Sequence, residues 1–386
     1  TDPSSYKRFD AFPLSLPTLK ALNLNNFTQP TEIQRRVLGP ALLGKDIVVE
    51  ARTGSGKTLA FIIPILENLF LSGATSLDGP VAIILTPTRE LARQIFLVLQ
   101  HVSKYHSFTI INIMGGKNLA LQKEEWACIA RANILVGTPG RLAHHQQQNP
   151  YLNMSSLRIL VLDEADRLLD PTFRHDLQAI LENLTPDRQT MLFSATQTKL
   201  LDQLIRLNMR NPLTVSTSLS KNSVTPAQLI QSYAIVPLEK KLDFLWAFLQ
   251  SHCKKKIIVF FSTQKQVRFI YDLFHLMQPY YTLLQLRGNM LQIRRFQIYD
   301  KFLNSRKGAV LFATNLAERG LDFPDVNWVV QFDCPKQMDD YIHRVGRTAR
   351  LERPGKAVTF LLPSERAFVD LLKERGIELV QQKFAV

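Results

Sequence analysis

Three cysteines in 386 residues, Cys128, Cys253 and Cys334, stand far apart with no Cys-x-x-Cys or His-x-Cys spacing. Neither a disulfide framework nor a zinc site is supported, and a reducing compartment is the simpler reading. The most apolar stretch, residues 59–71, is interrupted by Pro64, Glu67 and Asn68 and falls short of the roughly 20 residues that a membrane-spanning helix needs. No secretory signal opens the chain, and no short-period repeat or low-complexity tract occurs in it. The first residue is Thr1 and not methionine, which leads us to expect an excised or processed core with tails outside it.

What is present is ordinary globular composition, 46% hydrophobic and 21% charged, at a length that suggests two cores of usual size. Lysine and arginine exceed aspartate and glutamate by 47 to 33, a formal charge of +14. Such an excess suits a polyanion such as nucleic acid, with a membrane surface and mere solubility as the rival readings of composition alone.

Short β-rich apolar runs alternate with helical stretches at residues 46–51, 81–86, 109–114, 134–137, 159–163 and 190–194. A second series follows at 257–261, 281–286, 309–313, 328–332 and 357–361. Strand–helix alternation predicts an α/β fold of two tandem domains, each a doubly wound parallel sheet flanked by helices. The stretch 216–228, rich in Ser, Thr, Asn and Pro, reads as a hinge. The expected boundaries are 1–218, a linker at 219–228, and 229–386.

Ala51-Arg52-Thr53-Gly54-Ser55-Gly56-Lys57-Thr58 follows one predicted strand and opens a helix, the context of a P-loop. Its glycines let backbone N–H groups curl around phosphates, Lys57 neutralises the β and γ phosphates, and Thr58 offers a hydroxyl to magnesium. Asp163 and Glu164 end another strand on the same edge of the sheet. Asp163 suits magnesium coordination and Glu164 could polarise an attacking water. Arg347 and Arg350 stand three apart and can share a helix face toward one anion.

Asp163-Glu164-Ala165-Asp166 is the literal motif of the DEAD-box RNA helicases, and the rest of the chain resembles that family throughout. The resemblance implies two RecA-like domains, ATP with Mg²⁺, and single-stranded RNA held by its backbone. Residues 26–34 look like the family's adenine-reading Q motif, preceded by Phe9 and Phe12, with Phe27, Thr28, Gln29 and Gln34 at the base. Ser194-Ala195-Thr196 is similar to the coupling motif, in which the two hydroxyls contact the Asp-Glu-Ala-Asp stretch. Coupling is thereby implied for Ser194, Thr196, Asp166 and His343. Residues 341–350 resemble the last family motif, which makes Arg347 and Arg350 arginine fingers on the transferring phosphoryl group. Asp322 resembles the residue that touches the ATP ribose. Arg89, Gly116, Thr138 and Arg141 in the first domain would grip RNA. Thr263, Arg287, Gly288 and Thr314 would do so in the second, with Gln292 and Arg295 supporting.

Two departures stand out: Asn315 where the family usually has aspartate and Glu318 where it has alanine, which bears on coupling between RNA and ATP. Arg52 replaces the common lysine or glutamine on the outside of the P-loop. Segments 193–199, 327–335 and 361–365 resemble one eukaryotic branch serving ribosome biogenesis, in small-subunit RNA precursor processing. The resemblance therefore implies a nuclear, nucleolar monomer with pre-ribosomal protein partners and no membrane. Two other classes use the same parts: an ATP-dependent RNA clamp with little unwinding, and a DNA translocase.

Overall fold

A computed structural model describes residues 6–51, 54–113, 126–196, 198–216, 225, 228–305, 307–314, 323, 325–349 and 354–382. Packing divides the chain into residues 1–218 and 219–386.

In the first unit seven strands form one sheet: β1 (Ile47–Glu50), β2 (Ala82–Leu85), β3 (Ile110–Ile113), β4 (Ile134–Gly137), β5 (Ile159–Asp163), β6 (Gln189–Ser194) and β7 (Leu213–Ser216), in the order β3-β4-β2-β5-β6-β1-β7. All its described pairings are parallel. Successive strand residues face opposite sides, and the burial follows. Ile47 and Val49, Ala82 and Ile84, Ile159 and Val161 enter one apolar cluster, while Val48, Ile83, Leu85, Leu160 and Leu162 enter the other. Burial on both faces is why these strands read as near-continuous apolar runs.

The second unit repeats the plan with β8 (Leu229–Ile235), β9 (Lys256–Phe260), β10 (Thr282–Leu286), β11 (Ala309–Ala313), β12 (Trp328–Gln331), β13 (Gly355–Leu361) and β14 (Val380–Gln381), ordered β10-β11-β9-β12-β13-β8-β14. Ile258 and Phe260 face one cluster, Ile257 and Val259 the other.

Three strands escape the sequence reading. β8 carries Gln231 and Ser232 in its middle, and both are buried. The Tyr341 hydroxyl donates to Gln231 Oε1 at 2.9 Å, Gln231 Nε2 donates to Thr225 at 2.9 Å, and Ser232 Oγ donates to the Ala357 carbonyl at 3.0 Å. β7 and β14 lie at sheet edges and are largely exposed, so they lack the apolar run.

Candidate nucleotide site and nucleic-acid interface

Residues 51–58, Arg89, Thr138, the Asp163–Asp166 stretch and Ser194–Thr196 each sit at or just past the carboxyl end of a strand, the edge where open α/β sheets bind ligands; the residue 26–34 motif instead leads into the helix Glu32–Leu42 ahead of β1. β6 lies between β1 and β5, with Glu50 paired to Ser194 and Asp163 to Phe193. The loop after β1 and the carboxylates ending β5 are thus about two strand spacings, roughly 10 Å, apart.

Gly54 and Gly56 take left-handed backbone, φ +80° and +90°, which only glycine adopts without strain. Gly56 leads directly into the helix Lys57–Leu71, so that helix's first N–H groups open onto the loop. Lys57 is buried and its Nζ donates to the Ala51 carbonyl at 3.2 Å. Thr58 is half-buried. Arg52 and Thr53 lie outside the described residues.

Gln34 is 3% exposed in the helix Glu32–Leu42. It closes a reciprocal capping box with Thr31: the Thr31 N–H donates to Gln34 Oε1 at 2.8 Å, and the Gln34 N–H to Thr31 Oγ1 at 3.4 Å. Its Nε2 also donates to the Gly56 carbonyl at 2.9 Å. The helix start and the phosphate loop are therefore joined by one amide. A carboxamide has two donor hydrogens and two acceptor lone pairs; these bonds use one of each and leave a donor and an acceptor side by side. Phe27 is half-buried against the core, while Thr28 and Gln29 are exposed.

Asp163 and Glu164 are both buried, and Glu164 has positive φ, 53°, a costly conformation for a residue with a Cβ. Asp163 Oδ1 accepts the Glu164 N–H at 3.0 Å. Burial pushes the Asp163 carboxyl above the ordinary carboxylate range, against the Lys57 ammonium and that N–H, which pull it down. Thr58 and Asp163 are oxygen donors only, a set that fits Mg²⁺, which keeps several waters and takes phosphates as its other ligands. Among the described residues no cluster of three or more His, Cys, Asp or Glu could hold a metal alone.

Thr196 Oγ1 donates to Asp166 Oδ2 at 3.0 Å, and Ser194 Oγ donates to the Thr196 carbonyl at 2.7 Å while accepting the Thr196 N–H at 3.3 Å. The capping duty for the helix that follows falls instead to Thr198, whose side chain accepts the Leu201 N–H.

Arg89 opens the helix Arg89–Val102 and is half-buried. Thr138 precedes the helix Pro139–Gln148 without a side-chain capping bond, and Arg141 in its first turn is buried. Gly116 lies outside the described residues.

In the second unit Thr263 caps the helix Gln264–Leu276 in a capping box with Gln266. Arg287 and Gly288 follow β10, and Thr314 follows β11. Gln292 is half-buried; Arg295 is buried, unlike its exposed neighbour Arg294. His343 is buried, and Arg347 is wholly buried with its Nε donating to the His343 carbonyl at 3.2 Å. Arg350 and Asp322 lie outside the described residues, as do Asn315 and Glu318.

Sequence reasoning overlooked Arg344, 3% exposed with its guanidinium 5.4 Å over the Phe260 ring. It also overlooked Asp46, which accepts the Thr190 N–H at 2.7 Å and the Arg210 N–H at 2.6 Å. An acidic residue at the mouth of an apolar strand was the available signal for Asp46.

Residues 31–204 match the DEAD/DEAH box helicase model and residues 240–352 the helicase conserved C-terminal domain. The chain belongs to the DEAD-box helicases. It is 50% identical over 365 residues to the ATP-dependent RNA helicase DBP4 of Coccidioides immitis, covering 94% of this chain and 45% of that one. It is 48% identical over 376 residues to the probable ATP-dependent RNA helicase DDX10 of Homo sapiens, covering 97% and 42%. This DEAD-box chain thus spans less than half the length of these two curated relatives. Among solved structures, S. cerevisiae Dbp5 bound to RNA and ADP BeF3 superposes with a TM-score of 0.85 at 29% identity, over 98% of this chain and 96% of that one. Mss116p bound to ssRNA and AMP-PNP gives 0.88 at 27%, over 99% and 81%.

Proposed function

We propose that the chain is the core of an ATP-dependent RNA helicase, which couples ATP binding and hydrolysis to local strand separation or RNA–protein remodelling. One observation carries this reading: a buried carboxamide, a glycine-rich loop, a carboxylate pair and the Ser194–Thr196 turn converge on one edge of the first sheet. Helix starts at Arg89 and Thr138 lie on that same edge.

Gln34 offers its remaining donor and acceptor to adenine, whose N7 accepts and whose N6 amine donates, while Phe27 packs on the ring. The loop of residues 51–58 wraps the phosphates, and Lys57 neutralises them. Mg²⁺ held by Thr58 and Asp163 would add charge neutralisation at the β and γ oxygens. Glu164 orients and deprotonates the attacking water. Arg347 and Arg350 stabilise charge on the transferring group, and Asp322 meets the ribose. Arg347, already fixed in a buried place, would lose little order in doing so.

RNA is gripped by backbone at Arg89, Gly116, Thr138, Arg141, Thr263, Arg287, Gly288 and Thr314, contacts that position a strand without reading its sequence. Asp166, Thr196, Ser194 and His343 couple the two ligands. Such coupling is reciprocal: RNA raises ATP affinity by the factor by which ATP raises RNA affinity. We further propose residues 1–218 and 229–386 as the working domains joined by 219–228. The RNA helicase names of the relatives support the RNA substrate; on the segments at 193–199, 327–335 and 361–365 we further propose a nucleolar monomer acting with pre-ribosomal proteins.

The test is ATP hydrolysis with and without single-stranded RNA, beside Glu164→Gln. RNA stimulation that the variant loses by about 10²–10⁴-fold is expected. Equal stimulation by DNA of the same sequence would move the assignment to a DNA translocase, and ATP-dependent RNA binding without turnover to a clamp.

A further inference from the structure

The three second-unit turns assigned to RNA leave β9, β10 and β11, and register aligns their ends: Phe260 pairs with Ala313 and Ala313 with Leu286. β11 lies between the other two, so the turns at Thr263 and Arg287 stand about two strand spacings, roughly 10 Å, apart. No backbone ladder joins β9 to β10.

The Gln264 side chain crosses that gap. Gln264 Oε1 accepts the Asn289 N–H at 3.2 Å. A Cβ on Gly288 would lie 3.1 Å from Gln264 Nε2 and 3.8 Å from its Cδ, so the amide rests against the glycine. Gly288 is not among the glycines with positive φ; the need for glycine there is one of space. On the other side, Gln264 leaves a fixed point, since the Thr263 N–H donates to Gln266 Oε1 at 3.0 Å and Thr263 Oγ1 accepts the Gln266 N–H at 3.2 Å.

We propose that Gln264 is a positioning residue: it ties the Arg287–Asn289 turn to the Thr263 turn and sets the two in register before RNA arrives. The inference rests on the RNA reading above and adds a residue that reading did not include. A preset turn saves the ordering cost that a mobile one meets on binding. Both partners are exposed, so the bond competes with water and its loss is worth about three- to tenfold in RNA affinity.

The experiment compares wild-type chain with Gln264→Ala, Gly288→Ala and the double variant in RNA-stimulated ATP hydrolysis, with amide hydrogen exchange at Asn289 measured without RNA. Gln264→Ala is expected to raise the half-saturating RNA concentration about three- to tenfold, leave the KM for ATP and the rate at saturating RNA unchanged, and speed exchange at Asn289. Gly288→Ala, which displaces the amide, is expected to speed exchange at Asn289 to the same extent, with the double variant no faster than either single one. Unchanged exchange at Asn289 with weakened RNA binding would mean that Gln264 touches RNA itself, and would overturn the positioning role. An unchanged RNA requirement, or an ATP KM that rises in parallel, would overturn it as well. If wild-type chain ignores RNA altogether, the RNA reading fails, while Asn289 exchange still decides whether Gln264 ties the two turns.

Discussion

Gln34→Glu changes one donor into an acceptor at a site 3% exposed. The carboxylate would keep the bond from the Thr31 N–H, but it would lose the donation to the Gly56 carbonyl and set oxygen against oxygen where 2.9 Å now separates partners. Leaving a buried acceptor unsatisfied costs about 1–3 kcal/mol. At roughly 2–4 °C per kcal/mol for a unit of this size, a cost of ~2 kcal/mol lowers the first melting transition by about 4–8 °C. The substitution also removes the hydrogen that would meet adenine N7, a loss of about tenfold in ATP affinity at ~1.4 kcal/mol. Thermal unfolding with and without ATP, together with the KM for ATP and for GTP, measures both effects. An unchanged melting temperature with an unchanged ATP KM would refute the view that this amide holds the loop and reads the base.

Thr196→Val removes the hydroxyl that donates to Asp166; RNA-stimulated hydrolysis is expected to fall, and a cycle with Asp166→Asn to be non-additive by about 1–3 kcal/mol. Asp46→Ala strands the N–H groups of Thr190 and Arg210 and is expected to cost the first unit about 2–4 kcal/mol, read by urea unfolding. His106, beside the Thr18 hydroxyl and stacked on Phe108, is held below its ordinary pKa by burial against a smaller upward pull from Glu67. Its folded value lies under the unfolded one of about 6.5, so the stability it lends is complete above that pH and is lost as pH falls through the folded value. The first unit's melting temperature should drop on acidification below about 6.5, with a shallower slope in His106→Gln.

The central strands were legible because they are buried on both faces, as β2 and β5 show. β8 was not, because its polar residues are satisfied by Tyr341, Thr225 and Ala357, partners that only the fold supplies. Lys57 and Asp163 stand out as candidates by motif spacing, and Gln34 only through the family resemblance. That Gln34 also bonds Gly56, 22 positions away, could be read from neither. Glu67 is instructive in the same way. In the sequence it merely interrupts the longest apolar stretch, yet it is 2% exposed and accepts from the Ser15 N–H at 2.9 Å and the Ser15 hydroxyl at 2.8 Å. A carboxylate amid apolar residues has to be paired; sequence announces the need without naming the partner.

The second sheet repeats the strand order of the first position for position, with β8 standing where β1 stands. Past β1 the chain supplies the phosphate loop; past β8 it runs Val236-Pro237-Leu238-Glu239-Lys240, with a proline and a short 3₁₀ turn at Leu238–Lys240 and no glycine. A proline has no N–H to offer an anion, and without glycine the backbone cannot curl around one. The proposed phosphate loop past β1 therefore has no counterpart past β8, and nucleotide titrated into the protein is expected to saturate at a molar ratio of one.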